Sequence, residues 1–208
     1  MNFSEWLEAA ITDDPIAAKA QQVFRYQQWN PRPILKALGI QATSFGQRVN
    51  SGSFATVYRH PLDPSKIIKC TRDAGDARNL VAAQSLDTPN VVRVYQNVKI
   101  PQGYALVEDF VNGPSMPYTS AMIALLLDGP NMMDTPQKAA RKILRPGASP
   151  GRDRVLDKVG RNTEQERAKL SELLTTIGRL QQRGIDVSDW TDNVLDAGDH
   201  YVIIDMGQ

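Results

Sequence analysis

The sequence predicts an α+β fold of two lobes: an antiparallel β lobe that carries one helix, and a reduced, mainly helical lobe, with a helical extension in front of both. Three observations carry this. Between residues 43 and 112, short apolar runs alternate with turn residues, the pattern of consecutive antiparallel strands. Inside that region one proline-free stretch, Gly75 to Leu86, spaces Ala77, Leu80, Val81 and Ala83 as a helix does. Beyond residue 113 helical signals dominate until two short apolar runs close the chain around a turn.

Residues 1–42 form the extension. Ser4 caps a helix over Glu5–Ile11, and Asp14-Pro15 is an N-cap and first-turn pair opening Ile16–Trp29. Pro31 to Leu38 is a third short helix, stopped by Gly39. Residues 43–112 form the β lobe, in the order strand, strand, strand, helix, strand, strand; its turns are Asn50-Ser51-Gly52, Pro61 to Pro64, Thr88-Pro89-Asn90 and Pro101-Gln102-Gly103. Residues 113–208 form the second lobe, with helices over Ser120–Leu127 and Pro136–Leu144 and a flexible loop from Leu144 to Arg154. Thr163 and Glu166 make a capping box for a long helix to Gln182, whose stripe is Leu170, Leu173, Leu174, Ile177 and Leu180. The runs Val194-Leu195 and Tyr201 to Ile204 form a hairpin about Asp196-Ala197-Gly198-Asp199.

Composition narrows the class. With 208 residues, 41% apolar and 23% charged, the chain can bury a core, which excludes a disordered or collagen-like protein. A single cysteine, Cys70, excludes an internal disulfide framework, and His60 and His200 are too few for a usual zinc centre. Lys+Arg is 24 and Asp+Glu 23, a net +1, which excludes a uniformly basic nucleic-acid binder. The first residues lack a basic segment followed by an apolar run, and the longest apolar stretch, Ala121 to Leu127, is too short to span a bilayer; a cytoplasmic location is expected.

Four features carry chemistry. Ser51, Gly52, Ser53, Phe54, Ala55 and Val57 form a small-residue hairpin whose backbone N–H groups can approach phosphate oxygens, or an ordinary turn. Lys69 sits among apolar strand residues, where an ammonium needs a partner: either it holds phosphates against a helix carboxylate, Asp76 first and Asp73 second, or it lies on a solvated face. The strand Tyr104 to Val111 ends in Glu108-Asp109 and suits a connector that meets an adenine edge, with Val107 at the pocket wall, or a plain strand and loop. In the tail, Asn193 opens the hairpin and Asp205 closes it, two hard oxygen donors suited to Mg²⁺ with a triphosphate; Asp189 then lies where a hydroxyl arrives, with Asp186 as the alternative base. A solvated acidic turn is the reading adopted for Asp196 and Asp199, and packed core for Cys70.

In this order the features resemble the protein kinase-like fold over residues 43–208. Asn50-Ser51-Gly52-Ser53-Phe54-Ala55-Thr56-Val57-Tyr58-Arg59-His60-Pro61-Leu62-Asp63-Pro64 followed by Ile67-Ile68-Lys69 looks more narrowly like the early serine/threonine kinases of T-seven-like lytic phages. The resemblance implies an ATP- and Mg²⁺-dependent serine/threonine protein kinase acting on host bacterial proteins, in the host cytoplasm, during host takeover. Lys69 would contact the phosphates, Asn193 and Asp205 hold Mg²⁺, and Asp189 orient the acceptor hydroxyl. Departures are Asn50 for the first loop glycine, Ala55 at the third small position, no His-Arg-Asp triplet, and Asp189 four residues before Asn193 where the pattern has five. The chain ends at Gln208, three residues after Asp205, without the segment that helps ordinary protein kinases hold their substrate. Two other readings therefore stand beside the kinase: a kinase-like module that inhibits a host protein by binding it, and a small-molecule phosphotransferase. Lys138, Arg141, Lys142, Arg145, Arg152, Arg154, Lys158 and Arg161, against Asp153 and Asp157, form either a docking patch for an acidic partner such as host RNA polymerase, with direct nucleic-acid contact less favoured, or a solvated face.

Overall fold

The computed structural model describes residues 29–51, 54–126, 135–144, 150–187 and 190–206. The two helices expected before residue 29, and Gly52, Ser53, Arg145 and Asp189, lie outside the described residues.

Helix α1, Pro31–Ala37, starts where Asn30 accepts a hydrogen bond from Arg32 N, and ends at Gly39, whose φ of +68° suits glycine. The five-stranded antiparallel sheet follows: β1 Arg48–Ser51, β2 Ala55–Arg59, β3 Lys66–Thr71, β4 Val94–Ile100 and β5 Gly103–Asp109, in spatial order β1-β2-β3-β5-β4. Helix α2, Ala74–Ala83, with a 3₁₀ turn at Gln84–Leu86, lies between β3 and β4 as the sequence predicts. Asp73 caps it, accepting from Gly75 N (2.6 Å) and Asp76 N (3.2 Å).

The alternation of β3 and β5 gives the sheet two different faces. Ile68, Cys70, Ala105 and Val107 pack under α1 with Trp29, Ile34, Leu35 and Leu38. Leu106 joins α2 residues Ala77 and Leu80 in the larger core that continues into the second lobe. Burial pushes the Cys70 thiol up to about 12, in keeping with an inert core cysteine.

The second lobe is built from α3 Ser120–Leu126, α4 Pro136–Ile143, α5 Pro150–Lys158 and α6 Glu164–Gln182, followed by a 3₁₀ turn at Trp190–Asp192 and the hairpin β6 Val194–Asp196 with β7 Tyr201–Ile203. This is a mixed α+β architecture of two lobes, one built on the five-stranded antiparallel sheet and one mainly helical. Two expectations are corrected. Helix α5 occupies residues 150–154, expected as flexible loop, because Val155 and Leu156 are apolar anchors on its inner side. The capping box forms only by half. Thr163 Oγ1 accepts from Glu166 N (3.2 Å), but the Glu166 carboxylate turns inward to the hydroxyls of Tyr118 (2.7 Å) and Tyr201.

The lobes are joined by backbone. Val92 N donates to Ile203 O (3.0 Å) and Ile203 N to Asn90 O (2.9 Å), while the Asn90 amide donates to Tyr201 O (2.8 Å). On the other side Met116 N donates to Val194 O and Asp196 N to Pro114 O. The β6–β7 hairpin is thereby clamped between the segment after α2 and the segment after β5. Both its ends face the sheet.

Candidate active site

A cleft of about 710 Å³ lies between the sheet and the β6–β7 hairpin, within the size range of small-ligand pockets. One end is apolar, walled by Val57 and Ile67 above and Leu195 and Ile204 below, with Val92 beside them. The other end is charged.

The charged end is organised by Lys69, only 3% exposed. Its Nζ lies 2.8 Å from Asp76 Oδ2 and 3.2 Å from Asp205 Oδ2, and donates to Ile204 O at 3.3 Å. Just two residues separate β3 from α2, so the first turn of the helix sits beside the strand lysine. That proximity lets an aspartate reach where a longer side chain would otherwise be needed. Asp73, the second choice for this pairing, is engaged as the helix cap instead. Asp76 Oδ1 also accepts from Met206 N (3.2 Å), and Asn79 donates to Met206 O (2.9 Å), so α2 holds the backbone just past Asp205.

The electrostatics are unbalanced. Burial, with the Asp205 carboxyl as neighbour and hydrogen-bond partner, pushes Asp76 up to about 6 despite Lys69. Burial, reinforced by Asp76 and Asp205, pushes Glu108 up to about 8, again against the pull of Lys69. Burial disfavours the Lys69 ammonium, but Glu108, Asp76 and Asp205 together more than offset it, and its pKa is raised. Three acids thus face one lysine, an arrangement that additional positive charge would stabilise.

Asn193 and Asp205 are brought together by the hairpin register. Val194 pairs with Ile203, Ile204 N donates to Asn193 O (2.9 Å), and Asp205 follows by one residue. Both residues line the cleft. Among the described residues no group of three or more His, Cys, Asp or Glu could hold a metal ion alone. Two protein oxygen donors fit Mg²⁺, which characteristically completes its shell with phosphate oxygens and water. The donor chemistry, the apolar slot and the buried lysine therefore fit MgATP.

Of the hairpin between β1 and β2, Ser51, Phe54, Ala55 and Val57 line the cleft, and Phe54 is 60% exposed at its mouth. Val107 corrects the sequence reading: it points to the opposite face of the sheet, into the core under α1. A strand alternates with period two, so placing Lys69 and its neighbour Leu106 toward the cleft sends Val107 away and brings Glu108 in. Asp186 is exposed and lines a neighbouring hollow with Asp73, Arg78 and Asn79 rather than the cleft.

Sequence reading missed the slot residues Ile67, Val92, Leu195 and Ile204, of which Ile67 was accessible as the same-face neighbour of Lys69. It also missed the work of the turn before β3. His60 Nδ1 accepts from Leu62 N (3.2 Å) and Asp63 N (3.0 Å), and Ser65 O accepts from Phe110 N (2.8 Å), while the Arg59 guanidinium stacks on the Phe110 ring. The turn anchors the start of the connector that leaves β5.

Burial changes the reading of several charged residues. Asp196, expected as solvated, is buried and ion-paired with Arg161 (2.6 Å) and Lys169. Arg152 is buried too and donates to Leu126 O (2.6 Å). Arg152 and Arg161 are thereby withdrawn from the basic patch, where Lys138, Arg141, Arg154 and Lys158 are exposed. Asp199 is exposed beside His200.

No protein-family profile matches the chain, and no curated protein matches it. Among solved structures it is similar to the crystal structure of Rad53 1–466 in complex with AMP-PNP. The identity is 23% and the TM-score 0.43, over 77% of this chain and 37% of that chain.

Proposed function

We propose that the protein is an ATP-dependent phosphotransferase of protein-kinase type that acts on serine or threonine hydroxyls. The observation that carries this is the convergence, in one cleft, of a buried lysine paired to a helix aspartate with an Asn and an Asp at the two ends of a hairpin, beside an apolar slot.

Each residue then has a task. The slot takes the base. Lys69, held by Asp76, holds phosphate oxygens, and the small-residue sequence Ser51-Gly52-Ser53-Phe54 supplies backbone N–H groups suited to the same oxygens. Asn193 and Asp205 hold Mg²⁺, which when bound neutralises the negative charge that builds on the transferring phosphoryl group. Asp189, four residues before Asn193, orients the acceptor hydroxyl. Asp205 is aimed by Lys69, and its backbone by α2 through Asn79 and Asp76, so helix position controls the metal ligand. The resemblance of residues 50–69 to early phage kinases supports host bacterial proteins as substrates, and the exposed bases Lys138, Arg141, Arg154 and Lys158 support docking of an acidic one.

Radiolabelled ATP with purified protein and bacterial lysate tests the reading. Lys69→Ala and Asp205→Asn should each lower transfer by about 10²-fold or more. MgATP should raise the melting temperature of the wild type, the shift growing with nucleotide concentration. Transfer that both variants retain sinks the assignment. A wild type that binds no MgATP but captures a stable partner would identify a binding module instead.

A further inference from the structure

We propose that Glu108 reads the base: one of its carboxyl oxygens accepts a hydrogen bond from the exocyclic amino group of adenine. This rests on the nucleotide-binding reading of the cleft and adds to it the residue that recognises the purine.

Placement comes first. Glu108 is opposite Ile67 in the β3–β5 register, two residues along the same face from Leu106, the partner of Lys69. It therefore lies where the charged end of the cleft gives way to the apolar slot. Its side chain lines the cleft, and β5 passes into the connector one residue later. The slot walls around it, Val57, Ile67, Val92, Leu195 and Ile204, offer a base contact area but no side-chain hydrogen bond.

The second point is its unmet hydrogen-bonding capacity. Glu108 is 1% exposed, and its Oε1 is buried with no hydrogen-bond partner. Folded proteins rarely leave a carboxyl oxygen so placed without a reason. Lys69 does not serve it, since the ammonium is held by Asp76, Asp205 and Ile204 O. A ligand N–H delivered along the slot would. Burial also favours the neutral acid, with Lys69 on β3, Asp76 on α2 and Asp205 after β7 as the charged neighbours. A neutral carboxyl accepts from an amino group and donates to a ring nitrogen, the pair of groups that adenine presents side by side.

Calorimetry with two probes decides the matter: MgATP, and the magnesium complex of purine riboside triphosphate, which lacks only the 6-amino group. The wild type should prefer MgATP by about ten- to a hundredfold. Glu108→Gln keeps an acceptor oxygen and should keep most of that preference. Glu108→Leu should bind both probes within about threefold of each other. A purely structural Glu108 would alter stability and leave the ratio between probes unchanged. Equal binding of the probes by the wild type, or full preference retained by Glu108→Leu, overturns the proposal while leaving a nucleotide site in place. Binding of neither probe overturns both. Should Glu108→Leu fail to fold, the wild type and Glu108→Gln decide: equal binding in the wild type, or a preference lost in the glutamine variant, overturns the proposal.

Discussion

Glu108 and Asp196 show how much a carboxylate's role depends on where its side chain ends up. In sequence both stand at or next to a strand end, Glu108 read as part of a connector that works through its backbone and Asp196 as a solvated turn residue. Folded, Glu108 is sealed in the cleft and Asp196 in a cation pair. Their effects on stability have opposite signs. Glu108 has its ordinary value of 4.5 raised to about 8, so the native state holds its proton more tightly than the unfolded chain. Its contribution is complete below pH 4.5 and is lost as pH rises toward 8. Replacing it with glutamine removes that loss. Glu108→Gln should therefore be more stable than the wild type at pH 9, by roughly 2 kcal/mol or more, as read from urea midpoints. Equal midpoints at pH 5 and pH 9 in the wild type would show that the carboxyl is not held neutral. Asp73, expected as the second choice to pair with Lys69, has another task, capping α2. Asp73→Ala should cost about 1 kcal/mol, a fall of about 2–4 °C in melting temperature.

At the scale of elements, periodicity makes the sheet and helices legible. The order of five strands around one helix, the long stripe of α6 and the terminal hairpin are all stated by local pattern, because strands alternate by two and helices by 3.6. The elements misjudged are those whose signal is weak or shared. Helix α5 is rich in charge and opens with Pro150-Gly151, loop chemistry by composition, yet it is held by a few apolar anchors and by Arg152 reaching Leu126 O. The connector after β5 is the more consequential case. A Cβ on Gly113 would meet Asp196 O at 2.0 Å, and the next residue, Pro114, accepts from Asp196 N. The connector can thus lie against β6 only if residue 113 has no side chain. Gly113→Ala should lower stability by about 1–3 kcal/mol and weaken MgATP binding together, because the apolar slot is bounded by this connector and by Leu195. A variant with unchanged melting and unchanged affinity would show that the close approach is relaxed at no cost.

Across the whole molecule, the net charge of +1 conceals a redistribution. Part of the acidic tail meets part of the basic segment inside the second lobe, where Asp196 pairs with Arg161 and Lys169 beside the Glu166, Tyr118 and Tyr201 network. Burial raises the Asp196 pKa, but the hydrogen bonds from Lys169 and Arg161 outweigh it and leave it below the ordinary 3.8. A depressed carboxylate stabilises the fold above its unfolded value and loses that contribution as pH falls through the lower, native one. Thermal melting between pH 5 and pH 2 should show this acid limb, and Asp196→Asn should flatten it while costing about 2–3 kcal/mol at pH 7, because Lys169 keeps only the more distant Glu166 carboxylate at 3.8 Å. A wild-type acid limb that persists in the variant would assign it to other groups. By itself the sequence determined the class of fold, the order of its elements, and the residues Lys69, Asp76, Asn193 and Asp205 that enter the cleft, because periodicity and residue chemistry are local properties of the chain. Only the tertiary structure decided which face of β5 meets the cleft, that Glu108 rather than Val107 lines it, and which charges are spent inside the second lobe. Those outcomes depend on strand register and on contacts between residues far apart in sequence, with Lys69 and Asp205 separated by more than half the chain.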